Sequence, residues 1–349
     1  MTTAQRANIA PQTLVRSALV VMGALTVLLS DELLPPKYFN DSRTIVAIAQ
    51  RQIVNSPDQQ FEHVTRIYAF LGLVDYPVLT GLINYVAWVV VLVAAWRGVH
   101  AGGALALGWQ AAVLILGAVF LGQFSKDVFV LGVVAVLVLA GRGRAREVAI
   151  LLVMLAYAGW FRPYWFLVAG LYALGRLWIG SRGLSPRAVV MLLGAQLLVV
   201  VSAVHWGLGV DFAHFREAAN AARIGSVDAQ TALPASFLQS EQLPVDYLNA
   251  LLFLLDFMLP ASLAVSGGPF YLVIAGTIAA LWLVFWLALI KGRHASVTDV
   301  RLLRAVALVT SFVAVQTAFE PDYGSYLRHI TPLLPLLLMV ALWDRRKSA

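Results

Sequence analysis

The sequence predicts an all-α polytopic membrane protein, and three observations support this fold class. Of its 349 residues 60% are hydrophobic and only 12% are charged, about half the charged fraction of roughly 25% in soluble domains. The mean hydropathy is +0.81. Several apolar stretches approach or exceed the roughly 20 residues needed to cross about 30 Å of hydrocarbon. We therefore expect one integral membrane domain over residues 1–349 rather than two or three soluble domains.

Windowed hydropathy predicts about ten membrane spans. The first follows an N-terminal region without a small-residue cleavage site, so we expect a retained helix and no signal peptide. The apolar stretch at 248–265 differs from the spans, because it contains Asp256 and Pro260 and ends in Ser-Gly-Gly-Pro. We expect a broken or re-entrant element there. The predicted spans are 14–30, 77–96, 103–122, 128–141, 147–161, 164–180, 188–208, 270–290, 300–319 and 329–343.

The distribution of charge favours this topology with both termini in the cytoplasm. With ten spans, the cytoplasmic segments hold 16 of the 25 basic residues and three acidic ones, which leaves nine basic and 15 acidic residues outside. Counting 248–265 as an eleventh span would leave only 10 basic residues inside, against the positive-inside rule. The net charge of +7 is therefore a topology signal, and we expect no nucleic-acid partner.

Two long loops lie on the predicted outer face. The first is 31–76, and the second is 209–269, which includes the re-entrant element. In the second, the FREAANAAR stretch combines good helix formers with few large apolar residues, which predicts a short helix over the membrane surface. The predicted cytoplasmic loops are short and basic, so no cytoplasmic domain is large enough to hold a nucleotide.

Cysteine is absent and the histidines are scattered. The lack of cysteine excludes disulfides, thiolate metal sites and cysteine nucleophiles. No HxxxH or HExxH spacing occurs, so we expect no metal site and no cofactor.

Four polar clusters are predicted at the outer edge of the membrane, where ionisable residues are costly and often functional. They lie at 123–127, 161–165, 320–329, and 37–43 with the Asp31-Glu32 pair upstream. Each also has a structural interpretation: snorkelling and local ion pairs, an aromatic belt, or solvated loop carboxylates.

Together these clusters supply the groups that glycosyl transfer from a lipid-linked donor requires. Cations at headgroup depth suit a diphosphate, a carboxylate suits removal of a hydroxyl proton, and aromatic rings suit stacking on sugars. The candidate catalytic carboxylates are Asp41, Asp31, Glu32, Glu320 and Asp322. The candidate substrate- and diphosphate-binding residues are Arg328, Arg162, Lys126, Arg43, His329, Tyr323, Tyr326, Tyr164, Trp165 and Lys37.

The motifs KYFNDS, SKD, FRPYW and DYGSYLRHITPLLPLL resemble those of bacterial Wzy-type and EpsG-like polysaccharide polymerases. The resemblance implies a hexosyltransferase of the bacterial inner membrane that joins undecaprenyl-diphosphate-linked oligosaccharide repeats on the periplasmic side, producing O-antigen, capsule or exopolysaccharide. It also implies the lipid bilayer, a flippase and a chain-length regulator as partners. The wider similarity is to GT-C glycosyltransferases, whose catalytic carboxylate follows the first span, as Asp31, Glu32 and Asp41 do in this chain. The chain departs from that pattern in lacking a DxD in the first loop and a large soluble carbohydrate-binding domain.

The mechanism implied by this resemblance binds the diphosphate with Arg162, Arg328 and Lys126 and uses a carboxylate, with Asp41 the first choice, to activate the acceptor hydroxyl. A single-sugar transferase with a polyprenyl-phosphate-sugar donor and an O-antigen ligase would share these features. A polysaccharide or lipid transporter is the alternative from another class, but it would need polar residues near the midplane of discontinuous helices, where the spans offer mainly Asp256. An acyltransferase would need a buried histidine as base, and the sequence indicates none.

Overall fold

The computed structural model describes residues 3–54, 59–97, 104–221, 231–239, 242–265, 268–292 and 299–342. Within these ranges the chain is helical and forms no β-strand, so the predicted all-α class is confirmed. A single β-bridge joins Ala232 and Asp322. Four predicted cytoplasmic cations, Arg293, Arg345, Arg346 and Lys347, lie outside the described residues.

Helices make up most of the described chain. In chain order, the α-helices are α1 (Thr3–Leu28), α2 (Ser30–Leu33), α3 (Asn40–Ala49), α4 (Gln59–Phe70), α5 (Pro77–Trp96), α6 (Ala104–Leu121), α7 (Val130–Leu139), α8 (Arg144–Trp160), α9 (Trp165–Arg182), α10 (Pro186–Ser202), α11 (His214–Ala221), α12 (Leu243–Met258), α13 (Ala261–Val265), α14 (Pro269–Gly292), α15 (Val300–Phe319), α16 (Tyr323–Ile330) and α17 (Leu334–Ala341). Short 3₁₀ turns cover Pro36–Phe39, Asp127–Phe129 and Thr331–Leu333, and a π-helical turn, Ala203–Leu208, follows α10.

Four helical segments among the described residues are long and apolar enough to cross a membrane, which indicates a membrane protein. They are Pro77–Trp96, Pro186–Leu208, Tyr271–Lys291 and Val300–Phe319. Shorter apolar helices occupy Thr13–Leu28, Ala106–Leu121 and Asp127–Leu139, within or close to three further predicted spans. The full set of ten spans and the cytoplasmic termini stay predictions.

The chain divides into two compact units. Unit 1 comprises residues 1–140, 156–163 and 331–349. In it α1 packs on α5 and α6, and α17 also packs on these two helices. Gly117 of α6 lets the Trp88 side chain of α5 pack against the helix, because a Cβ at Gly117 would lie 1.9 Å from Nε1 of Trp88. Within residues 31–76, the predicted first outer loop, α3 packs on α4, where Ile45 and Val64 are fully buried.

Unit 2 comprises residues 141–155 and 164–330. Its centre is α15, which packs on α9, α10 and α12. Of its apolar window 89% is buried, so other parts of the protein enclose this helix, including its polar residues Arg304 and Gln316. Asp299 caps its first turn by accepting a hydrogen bond from the Arg301 amide at 2.8 Å.

Residues 209–269, the predicted second outer loop, contain a broken apolar element and a short helix in unit 2. The apolar element at 248–265 is broken as expected: α12 ends at Met258, and α13 begins after Leu259 and Pro260, because proline cannot continue a helix. The expected short helix is α11, but its Arg216 is fully buried, so one face of α11 packs into the protein. Residues 222–230, 240–241 and 266–267 of this loop lie outside the described residues.

Candidate functional site

A cavity of about 690 Å³ lies in unit 1 at the end of α1, and it brings together two predicted site residues. Asp31, in the first turn of α2, and Arg43, from α3, both line it and are exposed. Glu32 is exposed too but lies outside the lining. The other lining residues are Val27, Ser30, Leu34, Pro36, Phe39, Ser42, Val46, Ala47, Gln52, Pro77, Val78, Gly122, Gln123 and Phe124.

Hydrogen bonds fasten the first outer loop to the turn that follows α6. The Ser42 hydroxyl donates to the Phe124 carbonyl at 3.2 Å, and the Tyr68 hydroxyl donates to the Ser125 carbonyl at 3.2 Å. Burial raises the pKa of Tyr68 to about 12, against the opposing effect of its hydrogen bonds with Asn84 and Ser125. The phenol therefore stays protonated and continues to donate at neutral pH.

The predicted Lys126 and Arg162 sites are both buried in unit 1. Arg162 Nη2 lies 2.6 Å from Asp127 Oδ1, with 9% and 2% of the two side chains exposed. The Lys126 ammonium lies 4.1 Å from the centre of the Phe61 ring, a cation–π contact that ties it to α4. These two cations and the Asp127 carboxylate lie at or beside the turn between α6 and α7.

The remaining predicted residues of the first outer loop lie at the start of α3 and just before it. Lys37 and Tyr38 belong to the 3₁₀ turn and are half-buried. The Tyr38 ring lies 5.8 Å from that of Phe120, and burial raises its pKa. Asp41, in the first turn of α3, is half-buried.

In unit 2, Glu320 and His329 form a buried pair. His329 Nδ1 lies 2.7 Å from Glu320 Oε2, and 9% of His329 and 1% of Glu320 is exposed. The Gln316 amide also donates to Glu320 Oε2 at 2.7 Å. With the ring proton on Nδ1, the carboxylate would hold the imidazole in the tautomer whose Nε2 accepts protons.

Asp322 has an evident local role in unit 2. Its carboxylate accepts hydrogen bonds from the Ser325 amide at 2.7 Å and the Ser325 hydroxyl at 3.0 Å. It thereby satisfies a free amide at the start of α16, as a capping aspartate does. Its backbone forms the bridge to Ala232, which fixes the second outer loop beside the last one.

The two predicted sugar-stacking tyrosines of α16 are buried in unit 2. The Tyr323 hydroxyl donates to Asp256, which also accepts from Ser262. Burial and this carboxylate raise the pKa of Tyr323. Tyr326 is fully buried and stacks on Phe257 with the ring centres 4.4 Å apart. Both rings are therefore packed in the protein core rather than exposed to a ligand.

The other predicted residues of unit 2 differ in burial. Tyr164 is half-buried and stacks on Phe319 at 5.7 Å. Trp165 is 1% exposed and packs against Phe312 at 5.9 Å. Arg328 is half-buried in the last turn of α16.

Sequence reasoning missed Arg216 and Gln316. Arg216 donates to the carbonyls of Glu320 at 3.1 Å and Ala235 at 2.9 Å, and to that of Thr317. Its guanidinium lies 3.6 Å from the centre of the Phe253 ring. Because its hydrogen-bond partners are backbone carbonyls, the sequence carried no signal of its role.

Within the described ranges, no three histidine, aspartate or glutamate side chains come close enough to hold a metal ion. Comparison of the chain with models of known families, with curated proteins and with solved structures finds no match.

Proposed function

We propose that this protein is a membrane-embedded glycosyltransferase that joins undecaprenyl-diphosphate-linked oligosaccharide repeats into a surface polysaccharide, on the periplasmic face of a bacterial inner membrane. The proposal includes the ten-span topology with both termini in the cytoplasm. One observation supports it: within unit 1, hydrogen bonds connect residues from three of the four predicted clusters. Ser42 of the first loop bonds to Phe124, and Asp127 of the same turn bonds to Arg162.

The cations of this cluster would stabilise the leaving group. As the glycosidic bond breaks, negative charge grows on the undecaprenyl diphosphate, and positive groups in a site with little water lower the energy of that charge. Lys126 and Arg162 are 7% exposed, so their charges are weakly screened. Asp127 would orient the guanidinium of Arg162, as a planar donor pairing with a carboxylate does.

A carboxylate of the first outer loop would act as general base. Asp41 is our first choice and Asp31, on the cavity wall, the second. The acceptor hydroxyl would give its proton to the carboxylate while its oxygen bonds to the anomeric carbon. The bond from that carbon to the diphosphate oxygen would break with inversion. In unit 2, Arg328 and His329 keep their predicted role in anion binding, and Glu320 stays a candidate catalytic carboxylate.

Replacement of the proposed diphosphate ligands tests this function. We expect Arg162→Ala and Arg328→Ala each to abolish polymer, measured on gels of extracted polysaccharide, while immunoblots show normal protein levels. Arg66→Ala is the matched control, because Arg66 belongs to the first outer loop and 75% of its side chain is exposed. Polymer of wild-type length in both variants would contradict the proposal.

Deletion of the gene distinguishes a polymerase from a ligase, a flippase and a single-sugar transferase. A missing polymerase leaves single repeats on the final acceptor, a missing ligase leaves polymer on undecaprenol, and a missing flippase leaves material inside the cell. A missing single-sugar transferase leaves full-length polymer without one sugar.

One observation favours a second candidate, acyl transfer to a glycan. The Glu320–His329 pair is a buried histidine held by a carboxylate, the arrangement that removes a proton from a hydroxyl in many acyl-transfer enzymes. Deletion of an acyltransferase would leave polymer of normal length without ester groups, which NMR of the polysaccharide would detect.

A further inference from the structure

We propose that the cavity at the end of α1 is a saccharide-binding subsite, which takes hydroxyl-rich sugar residues of the lipid-linked repeat. This inference rests on the proposed function and adds two ligands that are not among the candidate binding residues, Gln52 and Gln123. Both line the cavity. The diphosphate and the polyprenyl chain would lie elsewhere.

The charge of the lining fits an uncharged ligand. It contains one carboxylate, Asp31, and one guanidinium, Arg43, so its formal charges cancel. A diphosphate needs cations, and the same unit has buried cations at Lys126 and Arg162. Lys126 follows Phe124, on the cavity wall, by two residues. A sugar in the cavity would thus have a diphosphate position close by in the same unit.

The neutral polar groups of the lining fit sugar hydroxyls. Ser30, Ser42, Gln52 and Gln123 offer hydroxyls and carboxamides, and a carboxamide both donates and accepts hydrogen bonds, as pairs of sugar hydroxyls do. A polyprenyl chain has no polar atoms, so in this cavity it would remove these groups from water without giving them partners.

Gln123 supplies a second, independent observation. Its Nε2 donates to the Val119 carbonyl at 3.0 Å. Its Oε1 is buried and accepts no hydrogen bond from any residue in the described ranges. A buried acceptor in this state costs free energy. A ligand hydroxyl donating from the cavity would satisfy it after a small rotation.

The size and walls of the cavity agree with this ligand. About 690 Å³ falls within the roughly 300–1,000 Å³ of small-molecule sites and is large enough for more than one sugar ring. Phe39, Val46 and Pro77 form part of its apolar wall, against which the C–H faces of sugar rings can pack. Phe39 is half-buried, so its ring is partly open to a ligand.

Binding to the full-length protein in nanodiscs tests the subsite. The probes are sugar-free undecaprenyl diphosphate and the lipid-linked repeat extracted from a strain lacking this gene. We expect Gln52→Ala and Gln123→Ala each to weaken binding of the repeat-bearing lipid by roughly five- to tenfold and to leave binding of the sugar-free lipid unchanged. Gln59→Ala is the matched control, because Gln59 is an exposed glutamine of the same loop outside the cavity lining.

A cavity-filling variant tests whether the glutamine changes weaken binding only by disturbing the structure. Ala47, a half-buried residue of α3, lines the cavity, and Ala47→Trp should block the repeat-bearing lipid while the thermal unfolding temperature stays close to that of the wild type. An equal loss of both probes would overturn the inference in favour of a lipid or diphosphate site. Wild-type binding of both probes by all three variants would overturn it as well.

The two proposals fail in different ways. If the wild type binds the repeat-bearing lipid more tightly than the sugar-free lipid and the cavity variants do too, only the subsite is wrong. If the wild type does not distinguish the two lipids and the deletion strain makes normal polymer, the proposed function is wrong, and the subsite is overturned with it.

Discussion

Arg216 links three segments of unit 2 that are distant in the sequence. Its guanidinium donates to the carbonyls of Thr317 and Glu320 at the end of α15 and to that of Ala235 in the second outer loop. Carbonyls at a helix end lack intrahelical donors and carry partial negative charge, so a cation is well placed there. Because Glu320 also holds His329, Arg216 fixes the backbone that positions this pair.

Replacement of Arg216 should therefore be costly. Arg216→Ala leaves three carbonyls without their donor in a buried place, and each loss costs about 1–3 kcal/mol. We expect the unfolding temperature of the purified protein, followed by the fluorescence of its 10 tryptophans, to fall by several degrees. Arg66→Ala, which removes an exposed pair with Glu62, should change it little. Equal unfolding temperatures for the two variants would contradict this assignment.

The burial of particular residues shows how much of the site the sequence could predict. The outer clusters were recognisable because ionisable residues beside apolar runs are conspicuous. The role of Arg216 was not, because its partners are backbone carbonyls from residues 19 to 104 positions away, and backbone groups leave no mark on the sequence. Tyr326 shows the same limit: its ring stacks on Phe257, yet an aromatic residue in that motif fits a sugar equally well.

At the scale of elements, helix boundaries were predictable where a capping signal coincides with an apolar run. The predicted spans 77–96 and 300–319 match α5 and α15, because Pro77 occupies the first turn of one and Asp299 caps the other. The two helices of the first outer loop were not predicted separately, since their apolar residues have mixed spacing. Their contact, with Ile45 and Val64 buried, forms only after the chain turns back.

The cap of α15 makes a pH-dependent contribution to stability. Burial of Asp299 would raise its pKa, but hydrogen bonds from the Arg301 side chain and amide outweigh this effect and lower it. A carboxyl with a lowered pKa in the folded state stabilises the fold above its unfolded pKa of about 3.9. That contribution disappears as the pH falls through the folded pKa.

We therefore expect Asp299→Ala to reduce stability at pH 7 by about 1 kcal/mol, the usual cost of a lost cap. Thermal unfolding measured across pH should show this difference from wild type shrinking below about pH 4. Asp75→Ala, at an exposed position of the first outer loop, is the control and should show no comparable loss. A difference from wild type that stays constant across pH would mean that the ionised carboxylate contributes nothing.

At the scale of the whole molecule, the distribution of basic residues predicts the topology, and the course of residues 248–265 decides how many spans it has. The uneven distribution of basic residues predicts which loops face the cytoplasm, but it depends on whether 248–265 crosses the membrane. The structure breaks this stretch after α12 and holds Asp256 by hydrogen bonds from Ser262 and Tyr323. Because these hydrogen bonds stabilise the buried carboxylate, Asp256 does not prevent the stretch from crossing the membrane. A re-entrant element and a crossing therefore both agree with the break after α12.

The absence of cysteine provides a direct test, because single-cysteine variants can be labelled without background. In intact spheroplasts a membrane-impermeant maleimide should label Val54→Cys, a residue of the first outer loop that is 79% exposed. It should label Ser181→Cys, in a predicted cytoplasmic loop, only after permeabilisation. Lys291→Cys, at the end of α14, is decisive. If 248–265 is re-entrant, Lys291 is cytoplasmic and protected. If the stretch crosses the membrane, this position is labelled from outside together with Val54→Cys. The chain then has eleven spans rather than ten.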